Sequence, residues 1–331
     1  MTETFKAVVA EDHDGRTFGS VTELALTDLP DDDVLVAVDW STLNYKDALA
    51  VSGAGRICRF LPMVCGIDLA GTVLESTSDD YQVGEQVLVN GFGLSETHWG
   101  GYSQRQRVKS EWLVRVPDAF SMEETMGIGT AGYTSMLCVQ ALQDYGIEAQ
   151  NGPVLVTGAS GGVGSVAVML LAKLGFEVIA STGRAEENRD FLVNLGAREV
   201  IDRDELSRPS KPLESEKWNG VVDAIGGETL ATALAQTRYG GAVAACGLAG
   251  GFKLSTTVMP FILRGVSLLG IDSVMASQTK RQRAWDQLAE LVDVELLHSI
   301  YTIKPMSELP ELARQILDGQ IRGRIVIDVN D

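Results

Sequence analysis

Val154-Leu-Val-Thr-Gly-Ala-Ser-Gly-Gly-Val-Gly-Ser165 is the stretch on which the reading of the fold turns. Val154 to Val156 is a short β-branched and aliphatic run of the kind that forms a strand buried on both faces. Four glycines follow within Gly158 to Gly164, and Val163 to Leu174 reads as an apolar helix ending at Gly175. Strand, glycine-rich turn and helix in that order lift such a motif above chance. Written Ala159-x-Gly161-x-x-Gly164, it is a dinucleotide-binding pattern with alanine in the first glycine position. Gly161 has no Cβ, so its backbone can approach a pyrophosphate, and Gly164 lets the helix pack tightly on the strand. Free N–H groups at the helix start, over Ser160, Gly161, Gly162 and Val163, are expected to face the phosphates. A second strand, Glu177 to Ser181, follows at the distance this fold requires.

The same residues also fit Thr157-Gly158-x-x-x-Gly162-x-Gly164, the pattern of short-chain dehydrogenases. That class begins its chain with this strand and uses a Tyr-x-x-x-Lys pair. Here residues 1–153 precede the motif, and none of the seven tyrosines has lysine four positions on. The short-chain reading fails.

At 331 residues, two domains are expected, each large enough for its own core. A hydrophobic content of 45% with 22% charged residues describes a soluble globular chain. No apolar run reaches the roughly 18–20 residues of a membrane span, and no basic-then-apolar leader opens the sequence, so a cytoplasmic protein is expected. The net charge of −18 argues against nucleic acid and anionic membranes as partners. Cys58, Cys65, Cys138 and Cys246 have no metal-ligand spacing and read as buried thiols.

Before the glycine motif, Phe5 to Ala10, Val34 to Trp40, Pro62 to Val73, Val83 to Val89 and Val108 to Val116 read as strands at short intervals. Asp31-Asp32-Asp33 reads as a solvated turn. That density of strands predicts a small antiparallel barrel rather than βαβ units. Ser121-Met-Glu-Glu124 is a capping box, and Gly127 to Leu142 continues as a helix rich in small residues. After the motif the βα alternation is regular. Asn188 to Leu195 is a helix closed by Gly196, Glu199 to Asp202 and Val221 to Ile225 are strands, Leu230 to Gln236 a helix, and Gly241 to Gly247 and Val266 to Ile271 strands. Gln278 to Val292 and Leu309 to Asp318 read as amphipathic helices and Gly323 to Val329 as a closing strand. The second domain is thus inserted into the first.

This order of parts resembles the medium-chain dehydrogenase/reductase superfamily over essentially the whole chain. Several stretches resemble more closely the acryloyl-CoA reductase group of its quinone-oxidoreductase-like branch. They are Ser41-Thr-Leu-Asn-Tyr-Lys-Asp-Ala-Leu-Ala50, His98-Trp-Gly-Gly-Tyr102, Gly129-Thr-Ala-Gly-Tyr-Thr134, Ala244-Ala-Cys-Gly-Leu-Ala-Gly-Gly251 and Thr257-Val-Met-Pro-Phe-Ile-Leu-Arg264. The resemblance implies an α/β fold: a GroES-like β-barrel catalytic domain over 1–122 and 272–331, and an inserted Rossmann doubly wound parallel sheet binding NADPH over 123–271. It also implies reduction of acryloyl-CoA to propanoyl-CoA by NADPH without metal, in a homodimer joined through the Val266 to Ile271 edge.

Zinc can be tested on residues. Zinc-dependent members carry Gly-His-Glu where this chain has Gly66-Ile67-Asp68, and four closely spaced cysteines that have no counterpart here. His98, beside Trp99, reads as a packed loop residue, and His13 and His298 lie in polar, surface-like contexts. No metal site is expected. Reducing an activated C=C bond needs only hydride, a polarised carbonyl and a proton.

The second strand ends Ala180-Ser-Thr-Gly-Arg184, with no acid before Glu186 to accept the ribose hydroxyls of NAD. Ser181, Thr182, Gly183 and Arg184 instead suit the 2′-phosphate of NADP. The resemblance places a second arginine at Arg203 and further cofactor contacts at Leu248, Ile262 and Ser273. It also makes Arg324 a late cofactor or substrate contact, and sets Tyr45, in the Asn44 to Asp47 loop, against the nicotinamide. Tyr45 is the candidate catalytic residue, although a phenol with a pKa of about 10 is a poor proton donor. Lys46 and Asp47 read equally well as a solvated pair. Arg56, Arg59, Arg105 and Arg107 are candidates for the phosphates of coenzyme A. Two other functions fit the residues: a quinone or enone reductase of the same fold, and a non-catalytic NADPH sensor.

Overall fold

In the N-terminal region, alternating apolar and polar side chains give strands with one face buried. The structure, a computed structural model, describes residues 3–331. β1 (Thr4–His13) and β2 (Arg16–Ala25) form an antiparallel hairpin. β2 was not anticipated, because almost none of its side chains is buried and the apolar signal is correspondingly weak. β3 (Val34–Leu43) follows, and then the segment around Tyr45 departs from expectation. It is not a loop but a helix, α1 (Tyr45–Ser52), capped by Asn44 and closed by Gly53 in the left-handed region at φ 68°. β4 (Met63–Val64), β5 (Asp68–Ser76), β6 (Gln86–Asn90), β7 (Arg105–Val108) and β8 (Val114–Arg115) complete this part of the chain.

α2 (Met122–Tyr145) starts on the expected capping box: Ser121 N–H donates to Glu124 Oε2 at 2.7 Å, and Glu124 N–H to Ser121 Oγ at 3.1 Å. It is not one continuous helix. Gly129 breaks it, with φ 50° and ψ −164°.

The glycine motif then opens a regular series. It comprises β9 (Val154–Thr157), α3 (Gly162–Lys173), β10 (Val178–Thr182), α4 (Ala185–Asn194), β11 (Glu199–Asp202), β12 (Trp218–Asp223), α5 (Gly227–Gln236), β13 (Thr237–Ala245), α6 (Met259–Arg264) and β14 (Ser267–Gly270). The six strands form one parallel sheet in the order β11-β10-β9-β12-β13-β14. The order reverses at β9, so the crevice between the ends of β9 and β12 is where this architecture takes a ligand. Leu155, Val221, Leu234 and Val243 are among the buried residues that hold the sheet to its helices.

α7 (Gln278–Leu291), α8 (Val294–Ile300), β15 (Tyr301–Pro305), α9 (Leu309–Leu317) and β16 (Arg324–Asp328) end the chain. α6, α8 and β15 are too short to leave a periodic signal and were not anticipated. β16 lies antiparallel to β3, and β15 parallel to β16, in a sheet ordered β15-β16-β3-β5-β6-β8 with β7 also on β3. β2, β1 and β4 form a separate three-stranded sheet. Val36, Leu69, Val87, Leu312 and Ile325 are among the residues of this core, and α9 packs on α1.

By internal contacts the chain divides into two units. One runs to Thr130 and resumes over Ser273–Ala289 and Leu297–Asp331; the other is Ala131–Asp272 with Glu290–Leu296. Among the described residues, no helix is long and apolar enough to cross a membrane.

Candidate functional site

In the parallel-sheet unit, the start of α3 is built from backbone alone. Gly161 is the N-cap with φ −86° and offers no capping side chain, so the first N–H groups of α3 lack side-chain partners. A Cβ on Gly161 would meet only the Gly158 carbonyl oxygen, at 3.3 Å, which leaves its outer side open for a close approach. Gly164 has no such freedom: a Cβ there would sit 2.3 Å from the Gly158 oxygen and 2.5 Å from Ala159 Cα. Ser160 Oγ and Thr182 Oγ1 share a hydrogen bond of 2.6 Å, tying the glycine turn to the end of β10. The cradle fits a dinucleotide pyrophosphate.

The end of β10 carries the groups suited to a 2′-phosphate, unevenly. Ser181 is buried in the strand, and the Thr182 hydroxyl also donates to the Gly183 carbonyl at 3.0 Å. Arg184 is the exposed group, held in the left-handed region at φ 53° as the N-cap of α4. That conformation is costly for a non-glycine residue. Asn188 supports it, donating to the carbonyls of Gly183 and Arg184 at 3.1 Å each. The Arg203 side chain lies over Gly183, where a Cβ would be 3.3 Å from it. Two guanidinium groups thus flank one strand end. A cavity of about 420 Å³ also borders Arg184, but Glu186, Glu187, Glu199, Asp202 and Glu205 line it, and so many carboxylates disfavour an anion. At the end of β12, buried Asp223 accepts from Thr157 Oγ1 at 2.7 Å and Gly226 N–H at 2.8 Å, and burial raises its pKa. Sequence reasoning missed Asn188 and Asp223. An acid ending the apolar run Val221-Val222 was the available signal for the second.

Leu248 follows β13 and Ile262 lies on α6; both are exposed. Ser273 belongs to the other unit, where its carbonyl accepts from Arg281 at 3.4 Å.

In the barrel unit, side chains from distant parts of the sequence converge. Asp68, at the start of β5, is fully buried. Its Oδ2 accepts from Thr42 Oγ1 (2.5 Å), Asn44 Nδ2 (2.9 Å) and Thr130 N–H (3.1 Å); its Oδ1 accepts from Asn90 Nδ2 (2.7 Å) and Thr130 Oγ1 (2.5 Å). The break at Gly129 frees the Thr130 N–H for Asp68 and the Gly127 carbonyl, which accepts from Arg324 Nε at 3.2 Å. Glycine is required there twice over, by its positive φ and because a Cβ would lie 2.4 Å from Arg324 Nη2. Arg324 is buried; its Nη1 donates to Asn44 Oδ1 at 3.0 Å, while its Nη2 has no hydrogen-bond partner among the described residues.

Asp47 and Lys46 do not form the solvated pair expected. Asp47 is completely buried, accepting from Ile67 N–H and Asn44 N–H at 2.9 Å each, whereas Lys46 pairs with Glu96. Burial, and then the Asp68 carboxylate, push the Asp47 carboxyl up to about 7. Burial lowers the pKa of Arg324, against the opposing pull of Asp68 and Asp47. Tyr45, at the first position of α1, is 39% exposed, and among the described residues its hydroxyl has no hydrogen-bond partner.

Among the described residues, no three or more His, Cys, Asp or Glu side chains are grouped to hold a metal ion. Asp68, at the Glu position of the zinc motif, is already committed to five hydrogen bonds. His98 bonds through both ring nitrogens, to Asp32 Oδ2 at 2.5 Å and the Trp99 carbonyl at 2.8 Å. The cysteines correct the sequence reading: Cys58 and Cys246 are only half-buried, and the four meet in pairs. The Cys65 thiol hydrogen-bonds the Cys58 sulfur, which lowers the pKa of Cys58 and, with burial, raises that of Cys65; Cys138 pairs with Cys246.

Residues 30–118 match the alcohol dehydrogenase GroES-like domain and residues 162–292 the family described as zinc-binding dehydrogenase. Acrylyl-CoA reductase AcuI of Ruegeria pomeroyi is 50% identical over 98% of this chain and 99% of its own. The crystal structure of Escherichia coli K-12 YhdH with bound NADPH is 49% identical, with a TM-score of 0.96 over 98% of this chain and all of that one. Bacillus subtilis YhfP, a putative quinone oxidoreductase whose crystal structure has NAD bound, is 41% identical over 99% of both chains. That structure has a TM-score of 0.94 over 99% of this chain and 100% of its own.

Proposed function

Because the chain belongs to the medium-chain dehydrogenase/reductase superfamily, we propose that it is an NADPH-dependent reductase of the C=C bond of acryloyl-CoA, yielding propanoyl-CoA. The carrying observation is the 50% identity, end to end, with an acrylyl-CoA reductase. The α3 cradle and the Arg184–Arg203 pair at the end of β10, a strand that itself ends without an acid, support the cofactor assignment, although Glu187 and Asp204 each lie 3.9 Å from one of the two arginines. Residues 123–271 form the NADPH-binding domain, and residues 1–122 with 272–331 the catalytic domain.

NADPH supplies a hydride to Cβ of the substrate, which the thioester carbonyl leaves electron-poor. The chain's task is to fix geometry and receive charge. Gly162 and Val163 would present N–H groups to the pyrophosphate, whereas the Gly161 N–H is already donated to the Gly158 carbonyl at 2.9 Å, and Arg184 and Arg203 would grip the 2′-phosphate. Leu248, Ile262 and Ser273 are further contacts. Tyr45, whose hydroxyl has no hydrogen-bond partner among the described residues, would meet the nicotinamide. As negative charge gathers on the thioester oxygen, hydrogen-bond donors must stabilise it. Arg324, with its unpartnered Nη2, holds the Asp68–Asn44 network that anchors the Tyr45 end of α1. Water delivers the proton to Cα. No metal takes part, since Asp68 is saturated by hydrogen bonds from the protein.

The enzyme works in the cytoplasm as a homodimer. β14 is one edge strand of the parallel sheet, and exposed Val258, Ile262, Leu263 and Leu268 supply apolar surface beside it. A quinone reductase is the second reading, favoured by the name of the B. subtilis relative.

Turnover of acryloyl-CoA, crotonyl-CoA and a quinone with NADPH in deuterated water, after exhaustive chelation, tests the reading. Acryloyl-CoA should be preferred, with solvent deuterium only at Cα. No NADPH oxidation, or solvent label at Cβ, would overturn it.

A further inference from the structure

At the far end of α1 from Tyr45, the chain turns at Gly53 and runs through Ala54-Gly-Arg-Ile-Cys-Arg-Phe-Leu61 around a cavity of about 500 Å³. Arg56, Arg59, Phe60 and Leu61 line it, together with Thr17 of β2. Arg56 and Arg59 are exposed and, among the described residues, make no hydrogen bond or ion pair through their side chains. In a chain with a net charge of −18, other arginines are held by acids: Arg105 is paired with Glu3, Arg107 with Glu75, Arg115 with Glu85 and Arg208 with Glu214. The nearby acid, Glu96, is already paired with Lys46. Phe60, 48% exposed, offers an uncovered ring at the same place.

We propose that this cavity is the subsite for the phosphorylated nucleotide end of the acyl-CoA, with Arg56 and Arg59 on its phosphates and Phe60 beneath its adenine. The inference rests on the reductase reading above. Phosphate groups need unspent guanidinium donors, and an aromatic face stacks on any base. The C-terminal end of α1 carries about half a negative charge, which two full positive charges more than offset. The spacing also fits: α1 has eight residues, and at about 1.5 Å per residue it sets the cavity roughly 12 Å along its axis from Tyr45. That is a span suited to the pantetheine arm between thioester and phosphates. The assignment separates Arg56 and Arg59 from Arg105 and Arg107, which their glutamates hold.

The test compares acryloyl-CoA with acryloyl-N-acetylcysteamine, which keeps the reacting thioester and lacks the nucleotide. In the double variant Arg56→Ala/Arg59→Ala, kcat/KM for acryloyl-CoA should fall about 10–100-fold, the loss of charge-assisted phosphate contacts. The loss should lie in KM, shrink at high salt, and leave the truncated thioester unaffected. Arg115→Ala, also exposed but paired with Glu85, should change neither substrate. Calorimetric binding of adenosine 3′,5′-bisphosphate should weaken in the double variant alone. Equal loss on both substrates, no loss on either, or unchanged bisphosphate binding would overturn the subsite. Failure of the unsubstituted protein to turn over either thioester, with bisphosphate still bound through these arginines, would instead sink the reductase reading.

Discussion

The glycine cradle of the parallel-sheet unit and the Asp68 cluster of the barrel unit are both tightly built, by opposite means. The cradle is made of main chain. Its requirements are the absence of side chains at Gly161 and Gly164 and unspent N–H groups at the start of α3. The cluster is made of side chains, with Thr42, Asn44, Asp47, Asp68, Asn90, Thr130 and Arg324 interlocked in a buried space. A backbone site tolerates little added volume; a buried polar network tolerates little lost hydrogen bonding. The two should therefore fail differently.

The largest effect is expected at Asp68. Asp68→Ala strips the acceptor from five hydrogen bonds and leaves Arg324 beside a diminished countercharge, so unfolding free energy should fall by about 3–5 kcal/mol. Denaturant unfolding measures it, and a loss below 1 kcal/mol would mean the cluster is not the keystone its geometry implies. Gly164→Ala forces a methyl against the Gly158 carbonyl and the Ala159 backbone, an overpacking of about 1–3 kcal/mol. Here NADPH affinity should fall with stability, because helix and turn must part; a fluorescence titration of NADPH alongside the melt shows whether they move together. Arg184→Ala touches neither structure. Loss of its proposed contact to the 2′-phosphate, worth about 1.5–3 kcal/mol, should lower NADPH preference roughly 10–150-fold while NADH use stays level. An unchanged NADPH/NADH ratio would reduce that arginine to surface charge.

The last effect is a slope with pH. Asp47 has a folded pKa raised to about 7, so its ionisation opposes folding. The folded state gains from a protonated Asp47 at low pH, and that gain is lost as pH rises from about 4 to about 7, by up to about 1.4 kcal/mol per unit. Asp47→Asn cannot ionise. The stability difference between the two proteins should therefore drift in the variant's favour across that window and be flat above it. A difference independent of pH would place the proton elsewhere.

The same contrast governs what could be read in advance. The cradle is local: its glycines sit within seven residues and follow an apolar strand, so spacing alone located β9, α3 and β10. The cluster is scattered from Thr42 to Arg324, and no window contains more than a fragment of it. Asp47 looked solvated because Lys46 precedes it, yet α1 turns the one inward and the other to Glu96. The helix itself was missed because eight residues carry no clear period. β2 was missed for the converse reason, as a strand with almost nothing buried does not alternate. The break at Gly129 was invisible too, since a glycine amid small helix-forming residues gives no sign of a partner nearly two hundred positions away.

The bond between Arg324 and Asn44 spans 280 positions of sequence, and that has a consequence for biogenesis. On the ribosome, β3, α1 and β5 emerge early, and with them Asp47 and Asp68. Residues 131–272 are contiguous and can close their sheet while synthesis continues. The cation beside the two acids, and the strand β16 that fills the sheet next to β3, are made long after β3 itself. A chain stopped short of Arg324 would keep its nucleotide cradle and carry an uncompensated acidic pocket, so the barrel is not assembled until β16 has been made.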